Sequence, residues 1–245
     1  MTIAAEELPS IEALDARGLL EWALGEFHPR IAISASFQAE SMVLIDMATK
    51  IRPDVRIFTL DTGRLPALTH DVIRRARERY RIGVCVHTPD PDAVAAYVRS
   101  NGVDGFYDSV AARRACCDVR KVRPLTRALR GKRAWITGLR REQHEGRAQL
   151  EAEHFDAAHG MLKFNPLADW TSEDVWTYIR AHRVPYNVLH DRGYPSIGCE
   201  PCTRAIKPGE PLRAGRWWWE HDGAHKECGL HVVPIRVAQT EESPT

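Results

Sequence analysis

Short apolar runs alternate with amphipathic stretches through the first half of this chain. That alternation limits the fold more than any other feature. Arg30-Ile-Ala-Ile-Ser34 reads as a buried strand, and Val55-Arg-Ile-Phe-Thr-Leu60, the run 83–87 and Arg133-Ala-Trp-Ile-Thr137 as further strands. Helical patterns lie around them. Leu20, Ala23, Leu24 and Phe27 form one stripe, Leu68, Val72, Ala76 and Tyr80 another, and 42–48, 92–99 and 117–129 also read as helix. Such alternation predicts an α/β fold, a parallel sheet with helices on both faces. Ligands in that class lie outside the carboxyl ends of the strands. The loops 34–41, 61–65 and 138–144 are therefore expected along one sheet edge.

The pattern changes after residue 145. Thr171-Ser-Glu-Asp174 is a capping signal for a helix to about Ala181. From Pro185 on, glycine, proline and aromatic residues replace periodicity. The expected division is an α/β unit over 1–206 and a C-terminal tail over 207–245. The tail carries Arg213, Arg216, the run Trp217-Trp-Trp219 and Cys228.

Composition narrows the function classes. The chain has 245 residues, 44% of them hydrophobic, with 34 basic against 33 acidic side chains. A net charge of +1 argues against general nucleic-acid binding. No apolar run is long enough for a membrane-spanning helix, and 1–9 lacks the basic start of a signal peptide. A cytoplasmic location is therefore expected, in which disulfides are a poor default for the six cysteines. Twenty-eight of the basic residues are arginine, which presents a fork of donors to phosphate or sulfate.

Two separated cysteine pairs, Cys116-Cys117 and Cys199-Glu-Pro-Cys202, are the strongest chemical signal. Four thiolates without histidine suit one metal centre, either zinc or an iron–sulfur cluster. Adjacent cysteines chelate a single tetrahedral ion awkwardly and suit a cluster better, because each can bind a different iron. Cys85 is expected to be a buried strand residue. Cys228 stands apart in Lys226-Glu-Cys-Gly-Leu-His231, where Lys226 and His231 would favour its thiolate. No cysteine follows it, so an outside thiol would have to resolve an oxidised Cys228. The loop from Ser34 to Ser41 leads from strand to helix, where amides and hydroxyls hold anions. It lacks the glycines of a Walker loop. Arg64, Arg140 and Arg141 are expected at the same edge. His70 and His154 read as solvated, and the tryptophan run as packing for the tail.

In this order the segments resemble the thioredoxin-dependent assimilatory adenylyl-sulfate (APS) reductases, relatives of the PAPS reductases. The resemblance covers roughly 30–231. It rests on Leu60-Asp-Thr-Gly-Arg-Leu65, Cys116-Cys-Asp-Val-Arg-Lys-Val-Arg-Pro124, Thr137-Gly-Leu-Arg-Arg141, Phe164-Asn-Pro-Leu167, Gly193-Tyr-Pro-Ser-Ile-Gly-Cys-Glu-Pro-Cys202, Gly215-Arg-Trp-Trp-Trp-Glu220 and Lys226-Glu-Cys-Gly-Leu-His231. The Ser34 loop resembles the modified PP-loop of that family. The resemblance implies an adenine-nucleotide α-hydrolase-like Rossmann variant. It also implies a 4Fe-4S cluster on Cys116, Cys117, Cys199 and Cys202, with Cys228 as nucleophile. The family pattern implies APS, reduced to sulfite and AMP through an S-sulfocysteine, with thioredoxin or a glutaredoxin-like dithiol as partner, in cysteine biosynthesis. Lys121 would link cluster and substrate, and His231 would assist Cys228. Ser34, Ser36, Leu60, Gly63, Arg140, Arg141, Arg213 and Arg216 would bind substrate. The sequence is silent on oligomeric state. Rival readings are a cluster enzyme preferring PAPS, an iron–sulfur sensor, and an ATP-using PP-loop transferase.

Overall fold

The computed structural model describes residues 14–220. Seven helices and six strands follow one another: α1 (Ala16–Phe27), β1 (Ile31–Ser34), α2 (Ala39–Ile51), β2 (Ile57–Leu60), α3 (Ala67–Tyr80), β3 (Val84–His87), α4 (Pro91–Asn101), α5 (Val110–Cys117), α6 (Arg123–Leu129), β4 (Ala134–Ile136), β5 (Glu153–Asp156), β6 (Met161–Phe164) and α7 (Ser172–His182). The strands form one sheet in the order β3-β2-β1-β4-β6-β5. All neighbours run parallel except the β5–β6 pair, which is antiparallel.

The alternation of strand side chains explains the layers. Ile31, Ile33, Ile57, Ala134 and Ile136 pack into the larger core with α1, α2, α3 and α7. Ala32, Phe58 and Trp135 point the other way, into a smaller core with Leu125, Ala128 and Leu129 of α6. Strands buried on both faces read as continuous apolar runs, which is how β1, β2 and β4 look in the sequence. The hairpin of β5 and β6 has no such signature. Its outer strand is half-exposed and Phe155 faces solvent, so hydrophobic pattern does not announce it.

Two sequence expectations change. Cys85 is exposed, because β3 is an edge strand of the sheet. Its Sγ lies 3.4 Å from Nε2 of His87. The helix expected over 117–129 is interrupted: α5 ends at Cys117, Asp118–Val122 make a wider π turn, and α6 follows. Pro124 has no N–H to return to Arg120, and Arg123 bonds back to Asp118 instead. The wide turn places Arg120 and Lys121 directly after the cysteine pair.

Candidate active site and thiol chamber

The loops after β1, β2 and β4 meet at one edge and surround a cavity of about 680 Å³. In the first loop, Ser36 N donates to Ser41 Oγ at 3.0 Å, which ties the turn to the start of α2. Phe37 takes a left-handed backbone (φ 57°) with its ring fully buried. It does by packing what a glycine would do freely. After β4, only glycine at 138 lets α2 lie so close. A Cβ there would stand 2.8 Å from Cβ of Glu40.

The predicted substrate residues Ser34, Ser36, Leu60, Arg140, Arg213 and Arg216 line this cavity, as does Lys121, the expected link between cluster and substrate. Arg141 and Gly63 do not. The Arg141 guanidinium turns to the Leu150 carbonyl and to Asp169. Gly63, at φ 70°, shapes the turn after β2, where Asp61 caps its N–H. Arg140 reaches the cavity with its donors already taken. Nε and Nη2 bond Glu40 Oε1, Nη1 bonds Glu142 Oε2 and the Trp170 carbonyl, and Nη2 also bonds Ser172 Oγ. Those bonds use all five N–H groups a guanidinium has. Arg147 and His190, which the sequence did not single out, also line the cavity. Arg147 stands in the arginine-rich loop after β4, the one signal that could have found it. His190 has no local signature.

Beside the large cavity lies a small chamber of about 20 Å³. Cys116, Cys117, Cys199 and Cys202 all line it, and all four are buried free thiols. Sequence elements far apart converge to build it. Thr62 Oγ1 lies 3.2 Å from Cys199 Sγ, Glu200 N bonds the Arg64 carbonyl, and Arg120 bonds the Thr62 carbonyl. The tail closes the other side, where Trp217 N bonds the Cys202 carbonyl and its indole is buried. Arg64, Arg113, Arg120 and Lys121 stand around the four thiols. Burial pushes the Cys202 thiol up to about 12, and raises Cys116 against the pull of Arg120 and Arg64. Burial acts the same way on Cys199, but Lys121, the Thr62 hydroxyl, Arg216 and Arg120 outweigh it and hold that thiol below its ordinary value. Among the described residues, no three His, Cys, Asp or Glu side chains are arranged to hold a single metal ion.

Lys121 and Trp217 line both cavities and form the partition between them. Trp217 carries cations on its ring: the guanidinium carbons of Arg113, Arg216 and Arg213 lie 4.5, 4.8 and 5.9 Å from its centroid. Arg113 is fully buried and forked onto Glu220, with Nε–Oε1 at 2.7 Å and Nη2–Oε2 at 3.1 Å. Trp218 is exposed, so the tryptophan run mixes packing with surface. His70 is exposed and His154 partly so. Cys228, Lys226 and His231 lie outside the described residues. No helix among the described residues is long and apolar enough to cross a membrane.

Comparison with known proteins finds relatives along nearly the whole chain. A protein named adenosine 5′-phosphosulfate reductase from Allochromatium vinosum is 54% identical over 243 residues, covering 99% of this chain and 94% of its own. One of the same name from Burkholderia cepacia is 50% identical over 233 residues, covering 95% and 92%. The crystal structure of a phosphoadenylyl-sulfate (PAPS) reductase from Candida auris superposes with a TM-score of 0.68 at 26% identity, covering 80% of this chain and 93% of that one. An FMN adenylyltransferase from Candida glabrata shares the fold alone, with a TM-score of 0.55 at 14% identity over 91% of this chain and 78% of that one. The sequence profile of the phosphoadenosine phosphosulfate reductase domain matches residues 30–205, and the chain belongs to that family.

Proposed function

We propose that this chain reduces adenosine 5′-phosphosulfate to sulfite and AMP, with thioredoxin or a glutaredoxin-like dithiol as reductant, in the cytoplasm and toward cysteine biosynthesis. The observation that carries the reading is the shared partition. A nucleotide-sized cavity at the strand ends meets a four-thiol chamber across Lys121 and Trp217, with Arg213 and Arg216 on the nucleotide side. The names of the relatives from Allochromatium vinosum and Burkholderia cepacia support the substrate.

Four thiols without histidine, ringed by four cations, suit a 4Fe-4S cluster held by Cys116, Cys117, Cys199 and Cys202. Adjacent Cys116 and Cys117 suit a cluster, in which each can bind a different iron, better than one tetrahedral ion. Such a group supplies a rigid cross-link and a fixed charge next to Lys121, while thiols supply both electrons of the reaction.

In the first step the Cys228 thiolate attacks the sulfur of APS. The S–O bond to the phosphate breaks, AMP departs with the bonding pair, and Cys228 becomes S-sulfocysteine. Lys121, Arg213 and Arg216 neutralise the oxygens as charge moves onto the phosphate. Lys226 and His231 keep Cys228 ionised. In the second step one thiolate of the dithiol attacks Cys228 Sγ. Sulfite leaves with the S–S bonding pair, and the second thiol frees Cys228 while closing the dithiol to a disulfide.

The test is sulfite release by anaerobically purified protein with reduced thioredoxin, on APS and PAPS in parallel, for the wild type and Cys228→Ser. Sulfite from APS in the wild type, and loss of at least about a thousandfold in the variant, is the expected result. Undiminished turnover by Cys228→Ser would remove the nucleophile. Sulfite from neither substrate would overturn the reaction itself.

A further inference from the structure

The two ends of the large cavity carry different chemistry. Lys121, Arg213 and Arg216 belong to the side next to the thiol chamber, which the loop after β2 helps to build. Glu40 belongs to the opposite side of β1, where α2 begins and the loop after β4 passes. If the phosphosulfate lies against the cations, the nucleoside extends toward Glu40. This rests on the function proposed above.

Glu40 is held in an unusual way. Its Oε1 accepts from Arg140 Nε and Nη2 and from Gln143 Nε2, at 3.0, 3.0 and 2.9 Å. Among the described residues its Oε2 has no partner, and Glu40 lines the cavity. Arg140, saturated by its own five bonds, is a fixture for this carboxylate rather than a ligand for sulfate. His190 lines the same cavity. Its Nε2 is buried without a partner among the described residues, and it accepts when the ring proton sits on the other nitrogen. The site thus presents two vacant acceptors. Asp191, next in sequence, is occupied by the Tyr186 hydroxyl through both oxygens.

We infer that Glu40 Oε2 and His190 Nε2 receive the two hydroxyls of the substrate ribose, and that Glu40 thereby selects a free 3′-hydroxyl over a 3′-phosphate. A cis-diol offers two donors to two acceptors. A 3′-phosphate replaces one donor with anionic acceptors set against a carboxylate, and a site built to bond a hydroxyl rejects an analogue that cannot donate. Arg147, the nearby cation, is 5% exposed and bonded to Gln143, so it stays with the protein. Apolar lining from Val175, Trp176 and Ile179 is left for the base.

The experiment is titration calorimetry of the whole protein with AMP, adenosine 3′,5′-bisphosphate and IMP, for wild type, Glu40→Gln and Glu142→Gln. Wild type is expected to prefer AMP over the bisphosphate, and Glu40→Gln to narrow that preference by about tenfold or more. Glu142→Gln, which also removes a carboxylate from Arg140 but does not line the cavity, keeps the preference. It controls for loosening of Arg140. An unchanged preference in Glu40→Gln overturns the inference and leaves the reaction standing. So does a variant that loses only its discrimination between AMP and IMP, since Glu40 would then read the base amine. A wild type that binds none of the three overturns the inference and the function beneath it together.

Discussion

Removing Glu220 strands a charge in the deepest part of the thiol chamber wall. Arg113 is 0% exposed, and the Glu220 side chain is 5% exposed. At the 2.7 and 3.1 Å contacts of the fork, charge centres about 4 Å apart attract by about 4 kcal/mol at an effective dielectric near 20. Loss of one partner from such a buried pair costs about 3–5 kcal/mol, because the other charge has nowhere to go. That is a large part of the ~5–15 kcal/mol that holds a domain together. Glu220→Leu should therefore lower the unfolding free energy by about 3–5 kcal/mol in urea titration of the anaerobic protein. Arg113→Met with Glu220→Leu should recover most of the loss, since apolar side chains fill the space without a stranded charge. The recovery has one opponent, because Arg113 also bonds Cys117. A single variant costing under about 1 kcal/mol, or a double variant as unstable as Glu220→Leu, would refute the reasoning. The first result would mean that water reaches the guanidinium, and the second that the loss comes from the contacts of the Glu220 side chain rather than from a stranded charge.

Three further outcomes follow from particular contacts. In Gly198→Ala the new methyl would stand 2.2 Å from Arg216 Nη2 and must displace that guanidinium. The fold survives, because the clash is with the end of a flexible side chain, and the KM for APS in sulfite assays should rise about tenfold; an unchanged KM would take Arg216 out of the site. Tyr178→Phe removes a 2.8 Å bond to buried Asp46, which also holds Tyr80 and Lys50. It should cost about 2 kcal/mol by thermal unfolding, and a change within about 0.5 kcal/mol would mean the acid is satisfied without it. Burial holds His190 below its ordinary value of 6.5, with Glu40, the Tyr194 backbone and Asp191 pulling the other way. The unfolded chain therefore takes up the proton first, and stability should fall as pH drops from about 6.5 toward the lower folded value. His190→Gln should flatten that slope in urea midpoints measured from pH 7.5 to 5.5; an identical slope would assign it to other histidines.

Much of the fold is legible because three central strands are covered on both sides. Ile31 to Ile33, Ile57 to Phe58 and Ala134 to Ile136 need apolar residues at every position. The cysteine pairs are legible for a different reason: closely spaced thiols mark a shared site, and the structure brings both pairs to one chamber. What stays hidden is pairing over distance. Nothing local tells that Arg140 is spent on Glu40, 100 residues earlier. The same holds for Arg113 and Glu220, 107 residues apart. A guanidinium reads identically whether it waits for an anion or already has one. Cys85 misleads because an edge strand keeps strand-like residues while one side stays open.

The segment that closes the thiol chamber is stapled at its base by backbone pairing, with the Arg204 guanidinium forked onto Glu210 beside it. Arg204 N bonds the Gly215 carbonyl, Thr203 bridges Arg216, and any side chain at 215 would meet the Arg204 carbonyl at 2.2 Å. Beyond the staple, Lys207, Pro208 and Gly209 project into solvent. For protein engineering this separates a fixed hinge from a free handle. A fluorophore or a short tag inserted at the tip should leave the staple untouched. A library that varies 207 and 208 while sparing 198, 215 and Gly209, whose φ of 86° favours glycine, would explore sequence without disturbing the thiols.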